Sequence, residues 1–211
     1  MAPKPAVKPI ETPGDRFPPL MIVGTQKLAG IRSWFDFNQL PYKLVRGEGF
    51  ESKQDLENSL SLVEVEIEKM IQEGIPSENI VLSGMSQGGA LTLYTALHTK
   101  YKIGGFLPMV TWLPLLGSEP PVSLPTPINK DTPIFHMNGN IDVIVPKVCG
   151  RATATAMEPV FTNYEQKNVL GTHLTTLGNP LNFPKIHCWL RRNVQGMAFS
   201  KTSPLRLLPC W

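Results

Sequence analysis

The sequence predicts an α/β fold, with a mostly parallel central sheet carrying helices on both faces. Three observations point to it. Short apolar runs without polar alternation, such as Ile80-Val81-Leu82, read as strands buried on both sides. These runs alternate along the chain with longer segments of helical period. A serine framed by glycines, Gly84-Met85-Ser86-Gln87-Gly88, sits where one such run gives way to a helix. With 211 residues, 42% of them hydrophobic and 18% charged, the chain has the length and balance of one globular domain, and it shows no internal repeat.

Residues 1–19 are rich in proline and are expected to be irregular; 20–195 form the domain, and 196–211 are an apolar tail without periodicity, left unassigned. Leu20 to Gly24 reads as a short buried strand. The clearest helix follows Ser52, which forms a capping box with Asp55 three residues on. Leu56, Leu60, Val63, Ile67 and Ile71 recur at steps of three and four, on one face. Gly74 suits the left-handed turn that ends a helix, and Pro76 prevents its resumption. Ile80 to Leu82 is then a strand, Gly88 to Lys100 a helix apolar on most sides, and Gly105 to Val110 a strand. Pro133 to Met137 supplies another strand, Lys147 to Met157 a helix, Val160 to Tyr164 a further strand and Phe183 to Asn193 a closing helix.

A bare Gly-x-Ser-x-Gly is weak evidence; its setting gives it weight. A nucleophilic serine of the α/β-hydrolase class must stand on a sharp turn from a buried strand into a helix. Here Ile80-Val81-Leu82-Ser83 supplies the strand and Ala90-Leu91-Thr92-Leu93-Tyr94 the helix, while Gly84 and Gly88 lack the β-carbons that such a turn would crowd. Ser86 is the candidate nucleophile. The amide of Gln87, directly after it, is the candidate oxyanion donor.

A serine hydroxyl needs a histidine to take its proton and a carboxylate to orient that histidine. The chain order in this class is serine, acid, histidine. Asp142 lies in the loop after the Ile134 to Met137 strand, whereas Asp131, the other aspartate beyond Ser86, precedes it. Of four histidines, His98 falls late in the helix behind the elbow and is expected at the surface; His136 falls within an apolar strand and precedes Asp142. His173 lies in a loop after the last strand and His187 inside the closing helix, so loop placement favours His173 as the base over His187.

These segments resemble the acyl-protein thioesterase and lysophospholipase family, small cytosolic α/β-hydrolases related to carboxylesterases. The resemblance rests on Ser33-Trp34-Phe35-Asp36, on Gly74-Ile75-Pro76 with Ile80 through Ala90, on Trp112-Leu113-Pro114-Leu115, on Asn138 through Pro146, and more loosely on Leu170-Gly171-Thr172-His173. It implies a substrate-binding role for Trp34, Trp112, Leu113, Pro114 and Leu115 beside an acyl channel. It also implies acylated proteins or lysophospholipids as substrates, and a cytoplasmic location. The family opens with a strand ending in His-Gly-x-Gly-Asp, whose loop gives the second oxyanion amide. This sequence has no His-Gly dipeptide, so the first strands and that loop are expected to be missing or replaced. Loss of one such donor commonly costs about 10²–10³ in rate. Loss of the strands would leave an open sheet edge.

Other classes are disfavoured. The net charge of +3 is small and dispersed, which argues against nucleic acid as a partner. No apolar run is long enough to span a bilayer, although transient contact with a membrane surface fits the implied substrates. Cys149, Cys188 and Cys210 are too few and too scattered for a disulfide framework or a zinc site, and serine chemistry needs no metal or organic cofactor. Two functions of different class follow. One is a hydrolase acting on acyl thioesters or esters through an acyl-serine intermediate, with small-ester carboxylesterase activity as its variant. The other is a catalytically impaired homologue that only binds.

Overall fold

The computed structural model describes residues 33–37, 51–118, 123–178, 181–193 and 206–210. The expected irregular N-terminus and the strand at Leu20 to Gly24 lie outside them. Helix α1 (Lys53–Gln72) opens at Ser52, whose hydroxyl accepts the Asp55 amide at 3.2 Å. The other half of the expected box is redirected. The Asp55 carboxylate accepts the Asp36 amide at 3.2 Å, and the Ser52 amide donates to the Asp36 carbonyl at 2.9 Å. The helix N-terminus is thus tied to a distant segment rather than closed on itself. Leu56, Val63 and Ile67 are buried on the expected face. At the far end, Gly74 takes φ +86° and Ile75 donates to the Met70 carbonyl at 3.0 Å, closing the C-terminal turn.

Among the described residues the sheet has five parallel strands in the order β4-β3-β2-β1-β5: β1 (Ile80–Met85), β2 (Gly105–Met109), β3 (Ile134–Gly139), β4 (Tyr164–Val169) and β5 (Arg206–Cys210). Alternate residues of these strands enter different cores. Ile80, Leu82, Phe106 and Ile134 pack with residues of α1 and of α2 (Gln87–His98). Val81, Leu107, Met109, Phe135 and Met137 pack with Trp189 and Leu190 of α5 (Phe183–Asn193). Phe135 stacks on Trp189 at a centroid distance of 5.7 Å. Both sheet faces are therefore covered, which is why the strands read as continuous apolar runs. Helices α3 (Lys147–Met157) and α4 (Thr175–Gly178) complete the described α-helices.

Two elements differ from expectation. The strand expected at Val160 to Tyr164 begins where that run ends. Val160 and Phe161 both donate to the Met157 carbonyl in a turn, and β4 uses the polar sequence that follows. The unassigned tail contributes β5, which pairs with β1 from Ile80↔Arg206 to Gly84↔Cys210. Strand β1 therefore has a neighbour on each side, and β4 and β5 are the outermost strands among the described residues.

Candidate active site

Ser86 stands between the last residue of β1 and the first of α2, at φ 54° and ψ −118°. A non-glycine residue held at positive φ stores strain of order 1–3 kcal/mol. Close packing of the turn is visible at its glycines. A β-carbon at Gly84 would lie 2.2 Å from the Gly88 carbonyl oxygen, and one at Gly89 would lie 2.8 Å from the Thr111 Cβ. The turn is held to the neighbouring strand. The Ser86 amide donates to the Met109 carbonyl at 2.9 Å, and the Thr111 hydroxyl donates to the Ser86 carbonyl at 2.6 Å. The first intrahelical bond of α2 is Ala90 to Ser86, so the amide of Gln87 is among those left without an intrahelical acceptor.

The structure brings Ser86, Asp142 and His173 together. His173 Nε2 lies 2.9 Å from Ser86 Oγ, and His173 Nδ1 lies 2.8 Å from Asp142 Oδ2. The loops after β3 and β4 place them: Asn140 donates to the Val169 carbonyl and Ile141 to the Gly171 carbonyl, which locks the two loops side by side. Asp142 Oδ1 accepts the amides of Ile144 at 2.8 Å and Val145 at 2.9 Å, so the carboxylate is buried but fully used. Gly139 and Gly171 permit the close approach; a β-carbon on Gly139 would lie 2.4 Å from the Gly171 carbonyl oxygen.

The other histidines stand apart from this arrangement. His98 is exposed on α2 and lies against Tyr94. His187 is half-buried within α5. His136 is buried in β3, with Nδ1 2.6 Å from the Tyr164 hydroxyl. Burial pushes its pKa down to about 4, and burial likewise raises that of Tyr164. The pair is therefore neutral near pH 7, with the tyrosine donating to the imidazole.

The residues expected to meet substrate divide into two groups. Trp112, Leu113 and Pro114 are buried beneath the surface, whereas Trp34 and Leu115 are half-exposed. Trp34, Phe37, Leu115 and Ile144 pack as a partly open apolar layer over the core of Phe35, Leu56, Tyr94 and Trp112. Gln87 fixes one wall of this layer. Its side-chain oxygen accepts the Trp34 amide at 2.8 Å, and its amide nitrogen donates to the Phe35 carbonyl at 2.6 Å. Gln87 thus couples the elbow to the Ser33–Asp36 segment through its side chain. Sequence reasoning missed Thr111, Ser59, whose hydroxyl donates to the Trp34 carbonyl, and Glu51, which accepts from Trp112 and Leu115. Their partners lie 25 to 64 positions away, and no local pattern marks them.

A serine on a strained strand-to-helix turn, hydrogen-bonded to a histidine and through it to an aspartate at the carboxyl ends of parallel strands, defines the α/β-hydrolase class. Within that class the chain belongs to the phospholipase/carboxylesterase family, whose model matches residues 19–181. It is similar to acyl-protein thioesterase 1 homolog 2 of Dictyostelium discoideum, 46% identical over 43% of this chain and 39% of that protein. It is similar to acyl-protein thioesterase 1 of Kluyveromyces lactis, 33% identical over 69% of this chain and 63% of that one. It thus spans less than two-thirds of either relative. Carboxylesterase SOBER1 of Arabidopsis thaliana is 31% identical over 80% of this chain and 71% of its own length. The crystal structure of SOBER1 superposes with a TM-score of 0.64 at 26% identity, covering 78% of this chain and 75% of that one.

Proposed function

We propose that this chain hydrolyses acyl esters or thioesters through an acyl-serine intermediate on Ser86. The observation that carries the reading is the unbroken hydrogen-bonded path from Ser86 Oγ through His173 to Asp142. As Oγ bonds to the acyl carbon, its proton passes to His173 Nε2, and the imidazolium is stabilised by Asp142. The oxygen that becomes negative is taken by the Gln87 amide, where the start of α2 favours negative charge. Collapse of this intermediate expels a thiolate or alkoxide, which leaves with the proton from His173. Water then adds to the acyl-serine by the same route, releasing the acid and restoring the serine.

An S-acylated protein or a lysophospholipid is the substrate class we favour, in line with the thioesterase relatives and with the apolar layer of Trp34, Phe37, Leu115 and Ile144 beside the elbow. No step requires a metal or organic cofactor, and substrate is met by transient contact at a membrane surface. No helix among the described residues is long and apolar enough to cross a membrane. A fluorophosphonate probe tests the nucleophile, because it bonds only to an activated serine. The native chain should label and Ser86→Ala should not. A folded native chain that stays unlabelled would favour the second reading, a family member that binds acyl groups without cleaving them.

A further inference from the structure

The carboxylate of Glu51 is buried, with the residue 7% exposed, at the point where the two walls of the apolar layer meet. Its residue forms a bridge with Phe37 on one wall. On the other wall, one carboxylate oxygen accepts the Trp112 indole N–H at 2.5 Å and the second accepts the Leu115 amide. Trp112 in turn lies against Phe35 and Phe37, at centroid distances of 6.5 and 5.8 Å. Leu115 is held at φ 61°, a conformation that a leucine adopts only where its surroundings compel it. The next residue toward the elbow from Trp112 is Thr111, which donates to the Ser86 carbonyl. A buried carboxylate is costly to desolvate and persists where every oxygen is used. Here both oxygens are spent on the half-exposed Leu115 and on the indole beneath it.

We infer that Glu51 is a positioning residue for the acyl chain of the substrate: it holds Leu115 and Trp112 in place as the apolar wall beside Ser86 and thereby sets the preference for long acyl chains. The inference rests on the hydrolase reading for its kinetic form but not for its binding form. Glu51→Gln keeps the volume and replaces one acceptor oxygen with an NH2 group, which must face either the indole N–H or the Leu115 amide. One bond to a charged acceptor is lost, which corresponds to roughly tenfold or more in an equilibrium constant.

The experiment measures kcat and KM for p-nitrophenyl acetate, octanoate and dodecanoate, and the affinity for a fluorescent dodecanoate. In Glu51→Gln the dodecanoate-to-acetate ratio of kcat/KM should fall about tenfold, chiefly through KM, and the fluorescent acid should bind about tenfold more weakly. Trp112→Phe removes one donor while keeping the carboxylate. It should shift the ratio in the same direction, and it supplies the test if Glu51→Gln does not fold. Equal losses at all chain lengths, or an unchanged affinity for dodecanoate, would overturn the inference. A native chain that cleaves no ester, yet binds dodecanoate in a Glu51-dependent way, would leave it standing and remove the hydrolase reading instead.

Discussion

Asp142→Asn isolates what the carboxylate does, because the geometry dictates how the new amide must sit. Asp142 Oδ1 accepts two backbone amides, from Ile144 and Val145, and Oδ2 faces His173 Nδ1 at 2.8 Å. An asparagine that kept its oxygen on the two amides would turn its NH2 toward His173. The imidazole would then have to accept at Nδ1 and carry its proton on Nε2, 2.9 Å from Ser86 Oγ, where a base is needed. The flipped amide would set an NH2 against two backbone N–H groups and leave both unsatisfied, at about 1–3 kcal/mol each. The first orientation wins, and with it the wrong tautomer. The expected loss is about 10⁴-fold in kcat, a value known from an aspartate-to-asparagine change in another serine hydrolase, or about 5 kcal/mol of transition-state stabilisation. Stability should change little, because shape and one acceptor are kept. Fluorophosphonate labelling rates and p-nitrophenyl ester turnover, measured beside Ser86→Ala, give the result. A loss of less than about tenfold in a folded protein would refute both the tautomer argument and the role given to Asp142.

Two further outcomes follow from the packing. Gly84→Ala would place a methyl 2.2–2.8 Å from backbone atoms of Gly88 and Gly89, which cannot yield without moving α2. It should cost about 3 kcal/mol or more and lower Tm by about 6–12 °C, whereas Gly74→Ala, with nothing within 4 Å, should cost only about 1–2 kcal/mol; calorimetry separates them. His136 has its pKa depressed to about 4 in the fold, so the unfolded chain binds its proton first as pH falls from about 6.5. Its contribution is therefore fully present above that pH and is lost down to about 4, by up to roughly 3 kcal/mol. The native protein should lose that much more stability than His136→Gln across this window in urea titrations; parallel curves would contradict the assignment.

What the sequence disclosed was mostly local. The elbow, α1, α3 and α5 carry their signals within a few turns: small residues at the bend, apolar periods, a capping serine and a closing glycine. The Ser86–Asp142–His173 arrangement was legible because a fold class with fixed chain order turns loop position into spatial position. By contrast, β4 and β5 were not. The sequence of β4, YEQKNV, is mostly polar and carries no apolar run, and β5 takes its meaning only from the neighbour it pairs with. Glu51 was illegible for a similar reason. An acid one residue before a helix cap reads as an ordinary helix-end charge, and only the fold brings Trp112 to it from 61 positions away.

The non-glycine residues at positive φ among those described are Ser86, Val110 and Leu115, and all three follow the carboxyl ends of β1 and β2. Such strain persists only where the surroundings over-determine it, and each instance here has its own restraint. Ser86 is held by Met109 and Thr111, Val110 donates to the Met137 carbonyl at 2.6 Å, and Leu115 donates to Glu51. For a β-branched residue such as Val110 the conformation is especially unfavourable. Its restraint comes from β3, the strand whose following loop carries Asp142. The end of β2 is therefore the common support. It fixes the Ser86 backbone through Met109 and Thr111, leads into the apolar wall through Trp112 and Leu115, and is itself tied to the strand whose following loop carries Asp142. The orientation of Ser86 is in this sense a property of two strands rather than of the glycine-framed turn alone. Substitutions between Met109 and Leu115 should accordingly change labelling of Ser86 and chain-length preference together, although none of these residues bonds to the serine hydroxyl.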